Sequence, residues 1–266
     1  MSKKIFFLIV LYLSTSCLYE RVEADSSIPA WFEEGVYARY RLSRASEITF
    51  VNESVYWFKP VNAFFRWDVV DFDGQVALLE VSFTFEQETT VEYPSVHAGE
   101  PLNLNLTTSV YVDVGSRDIW SLGDEFPGKT GFWLPPNPEE GDNFVLFGKH
   151  GNYLNGTVTD IGFTVKTPQG SQPVFDVEFK FQNGASLWST YDLTTGLLLL
   201  GYQMRGMDAM FLALNISKVD PSLRLDSTNI DLGPPSFYTK FLRILQKIVL
   251  VGAFILVAVI VYKRKR

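Results

Sequence analysis

The chain carries a single cysteine, Cys17, among 266 residues. One thiol excludes an intrachain disulfide framework and any cysteine-based zinc site. Histidine is almost as scarce, with only His97 and His150. His97 follows Tyr93-Pro-Ser-Val in a polar loop, and His150 sits in the turn Gly148-Lys-His-Gly151. Two histidines without ligand spacing read as exposed turn residues, not as a metal pair. Also missing are Gly-x-Ser-x-Gly, His-Glu-x-x-His and a glycine loop that cradles phosphate. No cofactor, metal or catalytic residue is therefore assigned, and the chain reads as a non-enzyme.

Positive charge is scarce across most of the chain. From Asp25 to Ser236 there are 28 acidic and 13 basic residues, a net of −15. From Phe237 to Arg266 there are seven basic residues and no acidic one. An acidic domain of this kind excludes a nucleic-acid partner, because phosphate requires a basic face. With 47% hydrophobic and 20% charged residues, the chain is neither disordered nor polytopic.

Long apolar runs are limited to the two ends. Met1-Ser-Lys-Lys precedes Ile5 to Leu13 and then Ser14-Thr-Ser16. A basic start, a short apolar core and small residues make a signal peptide over 1–16, with cleavage as late as 24. Nine helical residues rise only about 14 Å, too little for a hydrocarbon core of about 30 Å. At the other end, Ile248 to Tyr262 carries no charge and Lys263-Arg-Lys-Arg266 follows. Apolar residues extend the run back through Phe241, so residues 237–262 read as a juxtamembrane and transmembrane helix. Four consecutive cations at 263–266 fit a cytoplasmic tail. These features place residues 25–219 outside the cell membrane, with 220–236 as a stalk. Four sequons lie in the outer part, at Asn52, Asn105, Asn155 and Asn215. A glycosylated exterior domain without cysteine suits an archaeal surface protein.

Between the ends, apolar residues recur at every second place. Phe65, Trp67 and Val69 share a face, as do Leu79, Val81, Phe83 and Phe85, and Asp73-Gly74 marks a hairpin between the two runs. Val110, Val112 and Val114 alternate with polar residues, as do Phe175, Val177, Phe179 and Phe181. Asn183-Gly184 marks a second hairpin, and Met210, Leu212, Leu214 and Ile216 read as a last strand. The fold class is all-β: about ten strands in one large twisted antiparallel sheet, as a half-barrel or a sandwich, plus the C-terminal transmembrane helix. Carboxylates cluster in Asp71-Phe-Asp73-Gly74 and Glu139-Glu-Gly-Asp142, but the first is explained by its turn and neither completes a calcium loop.

The segment Trp188-Ser-Thr-Tyr-Asp192 with Thr195-Gly196-Leu-Leu-Leu resembles a hairpin of lipoprotein-carrier-like (LolA-like) half-barrel domains and of uncharacterised archaeal membrane-anchored surface proteins. About 15 residues carry it, and Asp-x-x-Thr-Gly is also a general turn pattern. The resemblance implies a curved sheet whose concave apolar face holds a lipid or packs on a partner. The C-terminal anchor departs from that family.

From Phe126 to Asp142 the chain has four prolines, three glycines and no strand pattern. Loops of this length tend to be functional or disordered. Its Phe132 and Trp133 either fold over the sheet edge and close the core or contact a partner or glycan. The resulting reading is a single-pass surface protein whose β domain serves binding or assembly, with the bilayer and a protein at the surface or in the membrane as partners. A lipid- or isoprenoid-binding half-barrel is the first alternative, which requires a continuous apolar cavity. An extracellular hydrolase built on paired acids is the second.

Overall fold

The computed structural model describes residues 28–42, 46–50, 55–58, 63–85, 91–93, 105–121, 124–149, 152–180, 184, 186–201, 208–220 and 222–233. The expected signal peptide at 1–16, the segment 237–262, the basic residues 263–266, Asn52, His97 and His150 lie outside these residues. Among the described residues no helix is long and apolar enough to cross a membrane.

The strands in chain order are β1 (Tyr37–Leu42), β2 (Ser46–Phe50), β3 (Val55–Phe58), β4 (Ala63–Phe72), β5 (Val76–Phe85), β6 (Val91–Tyr93), β7 (Leu106–Asp113) and β8 (Asp118–Ser121). Then come β9 (Asp124–Lys129), β10 (Asn143–Lys149), β11 (Asn152–Thr167), β12 (Gly170–Lys180), β13 (Ser186–Asp192) and β14 (Leu198–Gly201). A short helix α1 (Ala209–Ala213) precedes β15 (Ile216–Asp220) and β16 (Leu223–Thr228). Twelve strands close into an antiparallel barrel in the order β1-β16-β14-β13-β12-β11-β10-β9-β8-β7-β5-β4. The remaining four form a separate sheet, β15-β2-β3-β6.

The period-2 pattern drives this arrangement. Phe65, Trp67 and Val69 on β4 are buried, as are Leu79, Val81 and Phe83 on β5. Val110 and Val112 on β7 and Phe175, Val177 and Phe179 on β12 follow the same rule. Asp73 closes the β4–β5 hairpin by accepting from the Gln75 and Val76 N–H groups at 2.9 and 2.7 Å. Those bonds hold its carboxyl below the usual carboxylate range. Gly74 takes φ +99°, which its place in the turn requires.

Eight strands make a barrel that wall side chains alone can fill. Twelve make a wider one, and three inserted segments occupy its interior: Trp31-Phe32, the stretch 132–134, and α1. The Phe132 ring lies 4.7 Å from Phe65 and 5.0 Å from Tyr40. The Trp133 ring lies 5.2 Å from Phe32 and 5.8 Å from Trp67. Phe211 of α1 packs 4.5 Å from Phe65. Tilted and offset pairs at these spacings add about 0.5–1.5 kcal/mol each beyond the area they bury.

Three expectations are corrected. The sheet is neither a half-barrel nor a sandwich, because β1 bridges β4 on one side and β16 on the other and so joins the two ends of the sheet. The expected strand through Met210 and Leu214 is helical up to Ala213. Asp208 caps that helix in an extended conformation by accepting from Met210 N–H at 3.0 Å, and Asn215 follows it at φ +60°. Finally, residues 223–228, read as stalk, form barrel strand β16, with Leu223 and Leu225 inward and Arg224 outward. Two inward leucines are too short a pattern to read as a strand on their own.

Candidate functional site

Phe132 and Trp133 are buried at 0% and 1% exposure. The loop that carries them starts later than its composition implies, since Phe126 to Lys129 belong to β9. A network of buried polar groups fixes it. Arg117, at φ +64° and buried, donates from Nη1 to the carbonyls of Thr130 (2.9 Å) and Leu146 (3.2 Å), and from Nη2 to that of Val145. Asp208 Oδ2 accepts from Thr130 Oγ1 at 3.0 Å and from Gly131 N–H at 2.8 Å. The Tyr191 hydroxyl donates to the Gly131 carbonyl at 3.0 Å. Trp133 Nε1 donates to Val114 O at 3.2 Å.

These groups are held at an electrostatic cost. Burial pushes the Asp208 carboxyl up to about 6, against the pull of the Gly131, Met210 and Thr130 donors and of Arg117. Burial lowers Arg117, and the nearby Tyr191 and Asp208 offset part of that. A buried cation and a buried anion thus grip the same short segment from two sides.

The strand turn at 192–197 locks the other side of the loop. Asp192 Oδ1 accepts from Thr194 N–H, Thr195 N–H and Thr195 Oγ1 at 3.0, 2.7 and 2.8 Å. Leu134 N–H donates to Gly196 O, and Leu198 N–H to Phe132 O, both at 2.9 Å. Gly196 has φ +73°, and a Cβ there would stand 1.9 Å from the Leu134 carbonyl oxygen. The Thr195-Gly196 turn is therefore the socket that receives the aromatic loop.

A second group of side chains lies outside the occupied part of the interior, on the barrel wall. Cations gather beside the joint of β16 with β1 and β14. Among the described residues β14 and β16 pair through Leu200↔Arg224 and Gly201↔Leu223. The long β11–β12 hairpin reaches over this seam, its ladder shifted at Val158/Asp160 and Ile161/Phe163, and such bulges bend a strand. At its tip Gln169 Nε2 donates to the carbonyls of Thr228 and Ile230 at 3.3 and 2.8 Å. Arg224 Nη2 donates to Lys166 O at 3.1 Å.

Between the hairpin tip and the strands lies an open pocket of about 330 Å³. Lys166 and Pro168 line it from the tip, Arg41 from β1, and Arg224, Leu225 and Asp226 from β16. Arg41 faces Arg224 directly in the β1–β16 ladder, and Arg39 faces Arg66 in the β1–β4 ladder. Like charges opposed on neighbouring strands are destabilising. Arg66 meets Asp68 and the Tyr37 ring, Arg39 lies 3.7 Å from Asp226 and 3.6 Å above Phe64, and Arg41 lies 6.0 Å from the same Phe64 ring. Lys166 and Arg224 make no ion pair among the described residues.

The sequence motifs do not contribute to this pocket. Asp73 is used in its hairpin, and Asp142 Oδ2 accepts from Glu139 N–H at 2.8 Å within its own loop. Among the described residues no group of three histidine, cysteine or acidic side chains is arranged for a metal. Asn105, Asn155 and Asn215 are all exposed. Trp188 is 43% exposed on β13, unlike the buried Trp67, and Trp120 stacks on Tyr111 at 6.2 Å. The cations of the seam went unnoticed in the sequence. Tyr37-Ala-Arg39-Tyr-Arg41-Leu42 does alternate, with arginines on its polar face, but nothing in the chain order brings it beside Arg224 or Lys166. No protein-family model matches this chain, and no curated protein is significantly similar to it.

Proposed function

We propose that this is a single-pass surface protein whose outward-facing β domain serves binding or assembly, as an envelope scaffold or an accessory subunit of a membrane complex. The observation that carries this reading is the filled barrel. Wall aromatics and three inserted segments occupy the described interior, so the domain works through its outer surface. A lipid carrier would need a continuous apolar cavity. Here the inward Phe65, Phe132 and Phe211 pack on one another instead. Asp73, Asp142, Asp192 and Asp208 are committed to turns or caps and so give the hydrolase reading no support. Exposure of Asn105, Asn155 and Asn215 fits a glycan-bearing exterior.

Two measurements test the proposal. Protease added to intact cells should cut the domain, and survival of the domain until permeabilisation would overturn the topology. A pull-down of the full chain from native membranes should return a reproducible membrane or surface partner. A chain recovered alone in gentle detergent, with no partner after crosslinking, would overturn the assembly role.

A further inference from the structure

We propose that the seam pocket binds an acidic sugar, a saccharide unit bearing one carboxylate or phosphate. This rests on the reading of the domain as a binding module and names the chemistry of one ligand. The first argument is charge. The segment from Asp25 to Ser236 has only 13 cations against 28 acids, yet five of those cations, Arg39, Arg41, Arg66, Lys166 and Arg224, lie on this one wall or on the hairpin tip above it. Asp68 and Asp226 answer Arg66 and Arg39, which leaves Lys166 and Arg224 as the lining cations without an ion pair among the described residues. Arg41 and Arg224 stand directly opposite, and Lys166 closes over them from the hairpin.

The rest of the lining distinguishes a sugar from a bare anion. Paired guanidinium groups suit the planar, bidentate recognition of carboxylate or phosphate. Asp226 in the same pocket would repel a simple anion, but it accepts hydrogen bonds from hydroxyl groups. Pro168, exposed at the hairpin tip, offers an apolar surface for a ring face. The volume of about 330 Å³ falls at the low end of ligand pockets, about 300–1,000 Å³, which suits a single saccharide unit. An extended anionic surface such as a bilayer would be repelled by the net −15 of the whole segment Asp25 to Ser236. A single acidic unit can enter without approaching that charge.

Isothermal titration of the full chain in neutral detergent micelles tests this, with glucuronate, glucose 6-phosphate, glucose and inorganic phosphate as probes. Both acidic sugars should bind, with glucose and inorganic phosphate each weaker by at least about tenfold. Arg224→Gln and Lys166→Gln should each weaken glucuronate by about tenfold or more, and Lys180→Gln, on another part of the wall, should leave it unchanged. The proposal falls if glucuronate binds no better than glucose, if inorganic phosphate matches glucose 6-phosphate, or if both pocket variants keep full affinity. Lys166 lies at an exposed hairpin tip, so Lys166→Gln decides the matter should Arg224→Gln fail to fold. If the sugars fail while the pull-down still returns a partner, the sugar inference falls and the binding role stands. If the sugars bind and no partner is recovered, the assembly role falls instead.

Discussion

Replacing Asp208 by asparagine should change the pH dependence of stability in a way no surface carboxylate would. Asp208 is fully buried, and its carboxyl is raised from 3.8 to about 6 by that burial. The folded protein therefore holds the proton more tightly than the unfolded chain does. Between about pH 4 and pH 6 the folded state carries more protons, so stability falls as pH rises. The difference in pKa corresponds to about 3 kcal/mol of cost at pH 7.5 that is absent at pH 4. The attraction of Arg117 is already contained in that value. Asparagine never ionises, and it keeps one acceptor for Thr130 and Gly131. Its amide nitrogen then faces Met210 N–H, which costs the helix cap about 1 kcal/mol. The variant should thus be weaker than the native protein by about 1 kcal/mol at pH 4 and stronger by about 2 kcal/mol at pH 7.5. Urea unfolding followed by tryptophan fluorescence across that range reads both values. Asp192 and Asp176 are also raised by burial, but they are common to both proteins and cancel in the difference. A difference between the two proteins that does not change with pH would refute the reasoning.

Three other outcomes follow from the packing and the surface. Phe132→Ala should cost about 3–5 kcal/mol, because the ring fills the barrel between Tyr40, Phe65 and Phe211, and a drop in thermal midpoint of only a degree or two would show that the loop is not part of the core. Gly196→Ala should destabilise by more than the roughly 1–2 kcal/mol of its left-handed backbone, since the new Cβ meets the Leu134 carbonyl; hydrogen exchange should show faster exchange at Leu134 and Leu198 N–H, and unchanged protection there would contradict the socket. Asn105, Asn155 and Asn215 changed together to glutamine should raise electrophoretic mobility of the chain from its native source, and identical mobility would mean that none of the three is glycosylated.

The parts of this fold visible in the sequence are those set by neighbours in the chain. Phe65-x-Trp67-x-Val69 and Phe175-x-Val177-x-Phe179 announce strands because pleating repeats every two residues. Asp73-Gly74 announces a turn because the side chain and the glycine act locally. The closure of the barrel is of another kind. It depends on β1 meeting β16 across almost the whole domain, and the alternation of each strand is the same whether its neighbour is there or not. The short helix was obscured for a similar reason: Met210, Leu212, Leu214 and Ile216 satisfy a strand pattern, and only the capping carboxylate of Asp208 decides between the two readings.

Barrel width explains why buried polar residues were the least legible of all. Twelve strands enclose more space than wall side chains can fill, so loop residues must enter, and a loop brings backbone groups that need partners. Thr130, Gly131 and Trp133 carry such groups into the interior. Arg117, Asp208 and Tyr191 supply the partners from three different segments. In the sequence Arg117 is an ordinary turn cation between Ser116 and Asp118, and Tyr191 one aromatic among many. Their roles exist only once the barrel has closed and the loop has entered. The same closure sets β1 beside β16, and the reach of the β11–β12 tip to β16 is what places Lys166 beside Arg41 and Arg224. The clamp inside and the cationic pocket outside are thus both consequences of closing an unusually wide barrel.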